Sequence, residues 1–252
     1  MANGKRRDRL SGWDIFLSSL LYIKRNSFSF FKLLALCLIL IGICAIPLFL
    51  ASAYVKAILE LAFPIVLPCV LGLCAISWHR KIIFDLENES YPNPLRLHKS
   101  ELVYILLCVL YAFIIQAVPL FVEHFFEGGM TIGLIAMIAT LIVSIYPLRW
   151  ALILPAMAVG KGWTLKEASH ETKPYRTPII VAMLWGALLI WGSSFVVAMA
   201  FMVLNISGYL FAVIMLLSLV LMFLIWTMIN AGILSICFKH YLSQNMSQSY
   251  DE

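Results

Sequence analysis

The sequence predicts an all-α polytopic membrane protein: a transmembrane helical bundle of six spans with the N and C termini in the cytoplasm. Of the 252 residues, 63% are hydrophobic and 12% are charged, whereas roughly a quarter of the residues in a soluble domain are charged. Six apolar runs reach the length of about 20 residues that a helix needs to cross a bilayer. The Lys and Arg residues gather in the segments on one side of these runs.

The six runs mix Leu, Ile, Ala, Val and Met without a sustained alternation of apolar and polar residues. A transmembrane strand alternates, whereas a helix satisfies its backbone hydrogen bonds within its own segment. We therefore predict helices at residues 33–55, 57–78, 102–122, 130–148, 179–203 and 209–238.

These runs divide the chain into three parts. Residues 1–32 are predicted to be a cytoplasmic N-terminal segment, residues 33–238 a six-helix transmembrane domain and residues 239–252 a short cytoplasmic tail. The loops are too short to hold a separate catalytic domain.

The distribution of Lys and Arg sets the predicted orientation. Seven of them precede Leu33, four lie in residues 79–101, five lie in residues 149–176, and Lys239 follows the last run. Lys56 lies on the opposite side, so 17 of the 18 share one face. Because cytoplasmic loops carry the excess of Lys and Arg, this face is predicted to be cytoplasmic. The net charge of +5 then reflects topology and contact with anionic lipids, and no nucleic acid partner is expected.

A short amphipathic helix is predicted before the first span. Its apolar residues follow a three-four spacing: Trp13, Phe16, Leu17, Leu20 and Leu21. Ser11, with Asp14 three residues later, is suited to cap its start. We interpret it as an interfacial anchor, with a partner-docking helix as the alternative.

A second short helix is predicted within residues 161–177. Thr164 and Glu167 stand in capping-box register at its start, and Pro174 and Pro178 close it. Leu165, Ala168 and Thr172 lie along one of its sides.

Few polar side chains lie inside the runs, and no Asp, Glu, Lys or Arg lies at the centre of one. A coupled transporter usually needs such a group, and an intramembrane hydrolase needs a nucleophile and a base on facing helices. An enzyme is therefore not expected. Pro64 and Pro68, which are able to kink the second helix, keep the transport of a small solute or lipid as the alternative function.

The cysteines suggest neither disulfides nor a metal site. All six lie inside apolar runs: Cys37, Cys44, Cys69, Cys74, Cys108 and Cys237. Disulfides are not implied by this placement. The spacing of Cys69, Cys74 and His79 matches no common zinc pattern, so no metal and no cofactor are expected.

Two segments carry a family resemblance. Residues 78–85 read WHRKIIFD, and residues 149–156 read RWALILPA, continued by Gly160, Glu167 and Thr172. They resemble a family of bacterial six-helix membrane proteins of unknown function, related to the membrane domain found beside some glycerophosphoryl diester phosphodiesterases. The resemblance implies the bacterial inner membrane and gives no substrate.

The chain also departs from that family's pattern. Ser169 stands where the family tends to have Trp, and Pro174 stands where it tends to have Gly. The phosphodiesterase barrel itself is not encoded, so hydrolase activity is not implied.

The stretch from Arg149 to Lys173 is predicted to be the main functional surface. After about 19 residues the fourth run should reach the headgroups, yet residues 151–159 remain apolar, with Pro147 and Pro155 interrupting the helix. This stretch is either a buried continuation of the fourth helix or an interfacial segment whose cations face lipid phosphates.

The predicted function is that of a non-enzymatic scaffold, assembly partner or lipid-contacting accessory protein of the inner membrane. Anionic membrane lipids are the expected partners, with another membrane protein or a second copy of the chain as alternatives. The predicted lipid or partner contacts are Arg149, Pro155, Lys161, Lys166, Lys173, Trp78, His79 and Arg80.

Overall fold

The computed structural model describes residues 10–50, 53–84, 99–125, 130–203 and 208–248. Every secondary-structure element within these residues is a helix. The α-helices are α1 (Gly12–Arg25), α2 (Ser27–Leu50), α3 (Ala53–Phe84), α4 (Lys99–Phe125), α5 (Met130–Ile145), α6 (Ile153–Ala158), α7 (Leu165–Thr172), α8 (Arg176–Val203) and α9 (Gly208–Gln248). Two 3₁₀ helices cover Tyr146–Trp150 and Lys173–Tyr175.

The all-α prediction is confirmed for the described residues. Four stretches are long and apolar enough to cross a membrane: Pro64–Phe84, Lys99–Pro119, Leu165–Val197 and Val220–Asn245. A fifth is added if α1 and the first part of α2, which meet at 86°, count as one span. A shorter apolar stretch covers Leu134–Trp150. The presence of six membrane spans therefore stays a prediction.

The outer surfaces of α4 and α8 are strongly apolar. Leu106 of α4 is 64% exposed, and Leu188 and Trp191 of α8 are 63% and 75% exposed. Monomeric soluble proteins rarely expose apolar surface so extensively. Such surfaces are favourable where the surrounding medium is lipid.

The packed core lies at the end of the bundle where α2, α4 and α8 begin and α3 and α5 end, which we call the basic end. Here the second half of α3 packs against α2, α4, α6 and α9. Trp78, Tyr104 and Phe238 are fully buried in this region. Close packing of these aromatic side chains contributes dispersion contacts that hold the helices together.

A disulfide between Cys37 and Cys74 joins α2 to α3 inside this core. The expectation that no disulfide is implied is wrong for this pair. Two cysteines in different apolar runs still come close together when their helices pack against each other, as α2 and α3 do. Cys69, Cys108 and Cys237 are free.

Helix α1 has apolar residues on two sides, of which only one is buried in the bundle. Ser11 caps it as predicted, by accepting a hydrogen bond from the backbone N–H of Trp13. Ile15 and Phe16 are buried where α1 packs on α8 and α9. Leu21 remains 54% exposed, so α1 has one apolar side in the core and another outside it.

The chain after α5 bends away from a straight helix. Pro147 lies in the first turn of the 3₁₀ helix, and Pro155 lies in the first turn of α6, where a missing backbone N–H costs little. Leu152 and Ala156 are fully buried, and α6 packs against α3, α4 and α9. The apolar stretch 151–159 is therefore covered by other helices and is not a regular continuation of α5.

A tight turn connects α6 to α7. Gly160 has φ +79°, a left-handed conformation that glycine adopts without a Cβ penalty. Lys161 N–H donates to Ala156 O at 2.8 Å, and Gly160 N–H donates to Met157 O at 3.0 Å, which is the Schellman pattern of helix termination. The turn ends α6 and leads the chain to α7.

Helix α7 begins at the predicted capping box. The Thr164 hydroxyl accepts from the Glu167 backbone N–H, and the Glu167 carboxylate accepts from the Thr164 backbone N–H. Ala168 and Thr172 are buried, whereas Leu165, which was placed on the same side of the helix, is 54% exposed. Pro178 lies within the first turn of α8 rather than ending the segment.

Candidate functional site

An open groove of about 570 Å³ lies at the basic end, between the 3₁₀ helix Tyr146–Trp150, α7 and the start of α8. Its walls are formed by Arg149, Trp150, Leu165, Lys166, Ser169, His170, Lys173 and Arg176. Four of these lining residues are Lys or Arg, and none of them is acidic. We call this feature the basic groove.

The packing of α7 directs its polar side into the groove. Lys166, Ser169 and His170 lie at spacings of three and four residues, which places them on one helix face. The opposite side is anchored by Thr172, whose hydroxyl accepts a hydrogen bond from Leu152 N–H at 3.4 Å. The polar face of α7 therefore lines the groove while its small buried residues hold it to the bundle.

Arg149 is held by two aromatic rings. Its Nη1 donates to the Tyr146 hydroxyl at 2.9 Å. Its Cζ lies 5.2 Å from the centroid of the Tyr146 ring and 5.1 Å from that of Trp150, within the range of a cation–π interaction. Its Nε is buried and has no hydrogen-bond partner.

Arg176 enters the groove from the opposite wall. Its Nη2 donates to the backbone oxygen of Ser169 at 3.1 Å and to the hydroxyl of the same residue at 3.2 Å. Its Nε is likewise buried without a partner.

None of the four groove cations forms an ion pair with a carboxylate of the described residues, whereas the lining residue His170 contacts Glu171 at 3.3 Å. The ion pairs in this part of the protein involve neither Arg149 nor Arg176, and neither Lys166 nor Lys173. Both arginines are partly buried, whereas both lysines are exposed. The arrangement therefore combines four positive charges with unsatisfied N–H donors, which suits an anionic ligand.

Trp78 and His79, which were predicted as lipid or partner contacts, are fully buried. The Trp78 ring lies edge-on to Tyr22 of α1 and Phe30 of α2, each at 5.8 Å between centroids. Trp78 therefore contacts neighbouring helices and not the lipid that had been expected.

The ring of His79 joins α3 to two further helices. Its Nδ1 is 2.7 Å from the Ser235 hydroxyl of α9, and its Nε2 is 3.1 Å from the Tyr104 hydroxyl of α4. Since the Ser235 hydroxyl donates to Ala231 O, Nδ1 donates to Ser235 and Nε2 accepts from Tyr104.

Arg80 also serves the fold. It forms an ion pair with Glu101 of α4, and its Nε donates to Ala158 O of α6 at 2.7 Å. Trp78, His79 and Arg80 thus connect α3 to the helices around it and lie apart from the groove lining.

Of the remaining predicted residues, three line the groove, one is exposed outside it and one is buried. The groove brings together Arg149, Lys166 and Lys173. Lys161 is not among the lining residues, and its Nζ lies 5.9 Å from the centroid of the Phe238 ring. Pro155 is buried in α6.

Sequence reasoning did not single out Trp150, Leu165, Ser169, His170 and Arg176 as lining residues. A signal existed for Ser169 and His170, because they follow Lys166 at helical spacing on α7. Arg176 gave no such signal, since a 3₁₀ helix separates it from α7 and only the tertiary fold brings it to the groove.

Comparison of the chain with protein-family models, curated proteins and solved structures finds no match. The fold and the groove define the class of protein: a helical membrane protein with an open basic groove at one end of its bundle.

Proposed function

We propose that this protein is a non-enzymatic accessory protein of the bacterial inner membrane that binds the phosphates of anionic lipids in its basic groove. The observation that carries this proposal is the set of four groove cations without a carboxylate partner among the described residues. Membership of the six-helix family resembled by residues 78–85 and 149–156 forms part of the proposal.

The proposed topology has six spans, formed by α2, α3, α4, α5 with its following 3₁₀ helix, α8 and α9. Helix α5 alone has 16 residues, or about 24 Å, which is less than the bilayer core of about 30 Å. The 3₁₀ helix extends this span and carries Arg149 to the headgroup level. The basic end faces the cytoplasm, in agreement with the distribution of Lys and Arg.

Two physical effects favour an anionic lipid in the groove. Each Lys or Arg near an anionic membrane surface contributes about 1 kcal/mol of attraction. A hydrogen bond to a charged group contributes about 1.5–3 kcal/mol, and the second Nη of Arg149 and of Arg176 remains to donate to a phosphate oxygen.

The two prolines of α3, which kept transport as the alternative, do not break that helix. A broken helix at the middle of a span is the usual sign of a substrate site in transporters. Helix α3 instead continues through both Pro64 and Pro68.

The proposal is tested by the thermal unfolding of the full chain in neutral detergent with added phosphatidylglycerol. We expect the lipid to raise the unfolding midpoint, because a ligand of the folded state stabilises it by about 2.7 kcal/mol at a hundredfold excess over Kd. The triple variant Arg149→Gln, Lys166→Gln and Lys173→Gln should lose most of this shift.

A matched control removes three charges elsewhere. Lys24, Arg25 and Lys32 are exposed on α1 and α2 and do not line the groove. Their triple Gln variant should keep the shift of the wild type. Equal shifts in the groove variant and the wild type, at the same salt concentration, would contradict the proposal.

A further inference from the structure

The positive charge of the groove exceeds that of a common anionic lipid headgroup. Arg149, Lys166, Lys173 and Arg176 provide four charges around one opening. A phosphodiester carries one negative charge, whereas a phosphomonoester carries about −1.5 to −2 at neutral pH. A phosphomonoester therefore neutralises more of the groove's positive charge than a phosphodiester does.

The hydrogen-bond donors of the two arginines support the same choice. Each guanidinium uses one Nη towards the protein, Arg149 towards Tyr146 and Arg176 towards Ser169. The second Nη of each guanidinium donates no hydrogen bond to the described residues. Arginine binds phosphate through two parallel N–H bonds, and two such forks find more acceptors on the three free oxygens of a monoester than on the two of a diester.

The apolar walls beside the cations indicate that the phosphate belongs to a lipid. Trp150 and Leu165 line the groove together with the basic residues. Helix α5, which leads into the groove, exposes Ile142 to 62%. Helix α8, which leaves it, exposes Leu184 to 56%. An amphiphile is able to place its phosphate among the cations and its chains along these surfaces.

We propose that the basic groove selects a membrane lipid that ends in a phosphomonoester over lipids with a phosphodiester headgroup. This inference rests on the proposed function and adds the chemical class of the ligand. Arg149 and Arg176 are the specificity-determining residues, and Lys166 and Lys173 add attraction without directional selection.

The test measures the affinity of the full chain in neutral detergent for short-chain phosphatidic acid and short-chain phosphatidylglycerol at neutral pH. We expect the monoester lipid to bind about tenfold more tightly, which corresponds to about 1.4 kcal/mol. Glycerol 3-phosphate, which has the same phosphate without acyl chains, should bind far more weakly than phosphatidic acid.

The variant Arg149→Lys with Arg176→Lys keeps both charges and removes both forks. It should bind both lipids while losing the preference for the monoester. Arg25→Lys, which changes an exposed arginine outside the groove lining, should keep the preference.

The outcomes separate this inference from the proposed function. Equal affinity of the wild type for the two anionic lipids would overturn monoester selection and leave anionic-lipid binding intact. Glycerol 3-phosphate binding as tightly as phosphatidic acid would overturn the assignment to a lipid. Binding of neither anionic lipid above neutral phosphatidylcholine would overturn both proposals.

Discussion

Arg80 and Arg149 lie at the same end of the bundle but have different partners. Arg80 has a carboxylate, Glu101, and a backbone oxygen, Ala158 O. Arg149 has aromatic rings and a hydroxyl instead. Because a buried charge without a partner is costly, the fold supplies Arg80 with its own counter-ion. Arg149 forms no ion pair with a carboxylate of the described residues.

The substitution Gly160→Ala should destabilise the protein through the backbone alone. Gly160 has φ +79°, and an added Cβ would meet nothing within 4 Å. A left-handed conformation costs a non-glycine residue about 1–2 kcal/mol. We expect a lower midpoint of thermal unfolding in detergent.

Gly162→Ala is the matched control for that substitution. Gly162 also has open space around its Cβ position, and it does not have a positive φ. Its replacement should leave the unfolding midpoint close to that of the wild type. Equal effects of the two substitutions would show that the turn conformation at Gly160 is not required.

At the residue scale, sequence identified Arg149, Lys166 and Lys173 because cations beside apolar runs stand out. It did not separate them from Lys161, because Lys161 lies in the turn between α6 and α7, and only the tertiary fold decides which of these cations enter the groove. The burial of Trp78 was equally hidden, because a tryptophan at the end of a run fits both an interface and a core.

Among the elements, α1 has the most unusual position. It meets α2 at 86° and packs on α8 and α9. The Ser19 hydroxyl donates to Ile229 O of α9 at 3.2 Å, and the Trp13 ring lies 4.8 Å from that of Trp185 on α8. Helix α1 is therefore part of the bundle as well as a candidate for the membrane interface.

Gly12→Ala should loosen α1. A Cβ at Gly12 would lie 2.6 Å from Val181 Cβ and 2.8 Å from Pro178 O, so α1 must shift at a cost of about 1–3 kcal/mol. We expect faster trypsin cleavage after Lys24 and Arg25, which lie in its last turn.

The control for this substitution is Gly42→Ala in α2, where an added Cβ meets nothing within 4 Å. Alanine is the better helix former by up to about 1 kcal/mol, so cleavage in α1 should not accelerate. If Gly12→Ala leaves the cleavage rate unchanged, the close packing of α1 on α8 is not needed to hold it.

At the element scale, local signals predicted the starts of α1 and α7, because capping residues act within one turn. The same signals did not show which side of α1 faces the core. In a helix with apolar residues on two sides, Ile15 and Leu21 differ only in what packs against them. The Cys37–Cys74 disulfide depends on the contact between α2 and α3 and had no local signal.

On the scale of the whole molecule, helix lengths differ from the lengths of the apolar runs. Helix α9 has 41 residues, or about 62 Å, about twice the thickness of a bilayer core. The run at residues 209–238 predicted only its apolar part. Its C-terminal portion continues beyond that run, where the Tyr241 ring lies 5.2 Å from that of Trp163 and His240 Nδ1 lies 3.2 Å from the Tyr175 hydroxyl.

Membrane topology is tested with single cysteine probes in intact cells. Ser207→Cys, outside the described residues, should react with an impermeant maleimide, because the proposed topology places it on the external face. Lys166→Cys, exposed on α7, should react only after permeabilisation. The wild type corrects for the native cysteines, and the reverse pattern would invert the topology.

The most direct test of lipid binding at the groove is native mass spectrometry of the full chain extracted from bacterial membranes in mild detergent. We predict that the wild type and the triple Gln variant of Lys24, Arg25 and Lys32 retain a phosphate-bearing lipid. The triple Gln variant of Arg149, Lys166 and Lys173 should lose it while keeping its fold, judged by its unfolding midpoint without added lipid. Retention of the same lipid by the folded groove variant, at equal occupancy, would contradict the assignment of the basic groove as the lipid site.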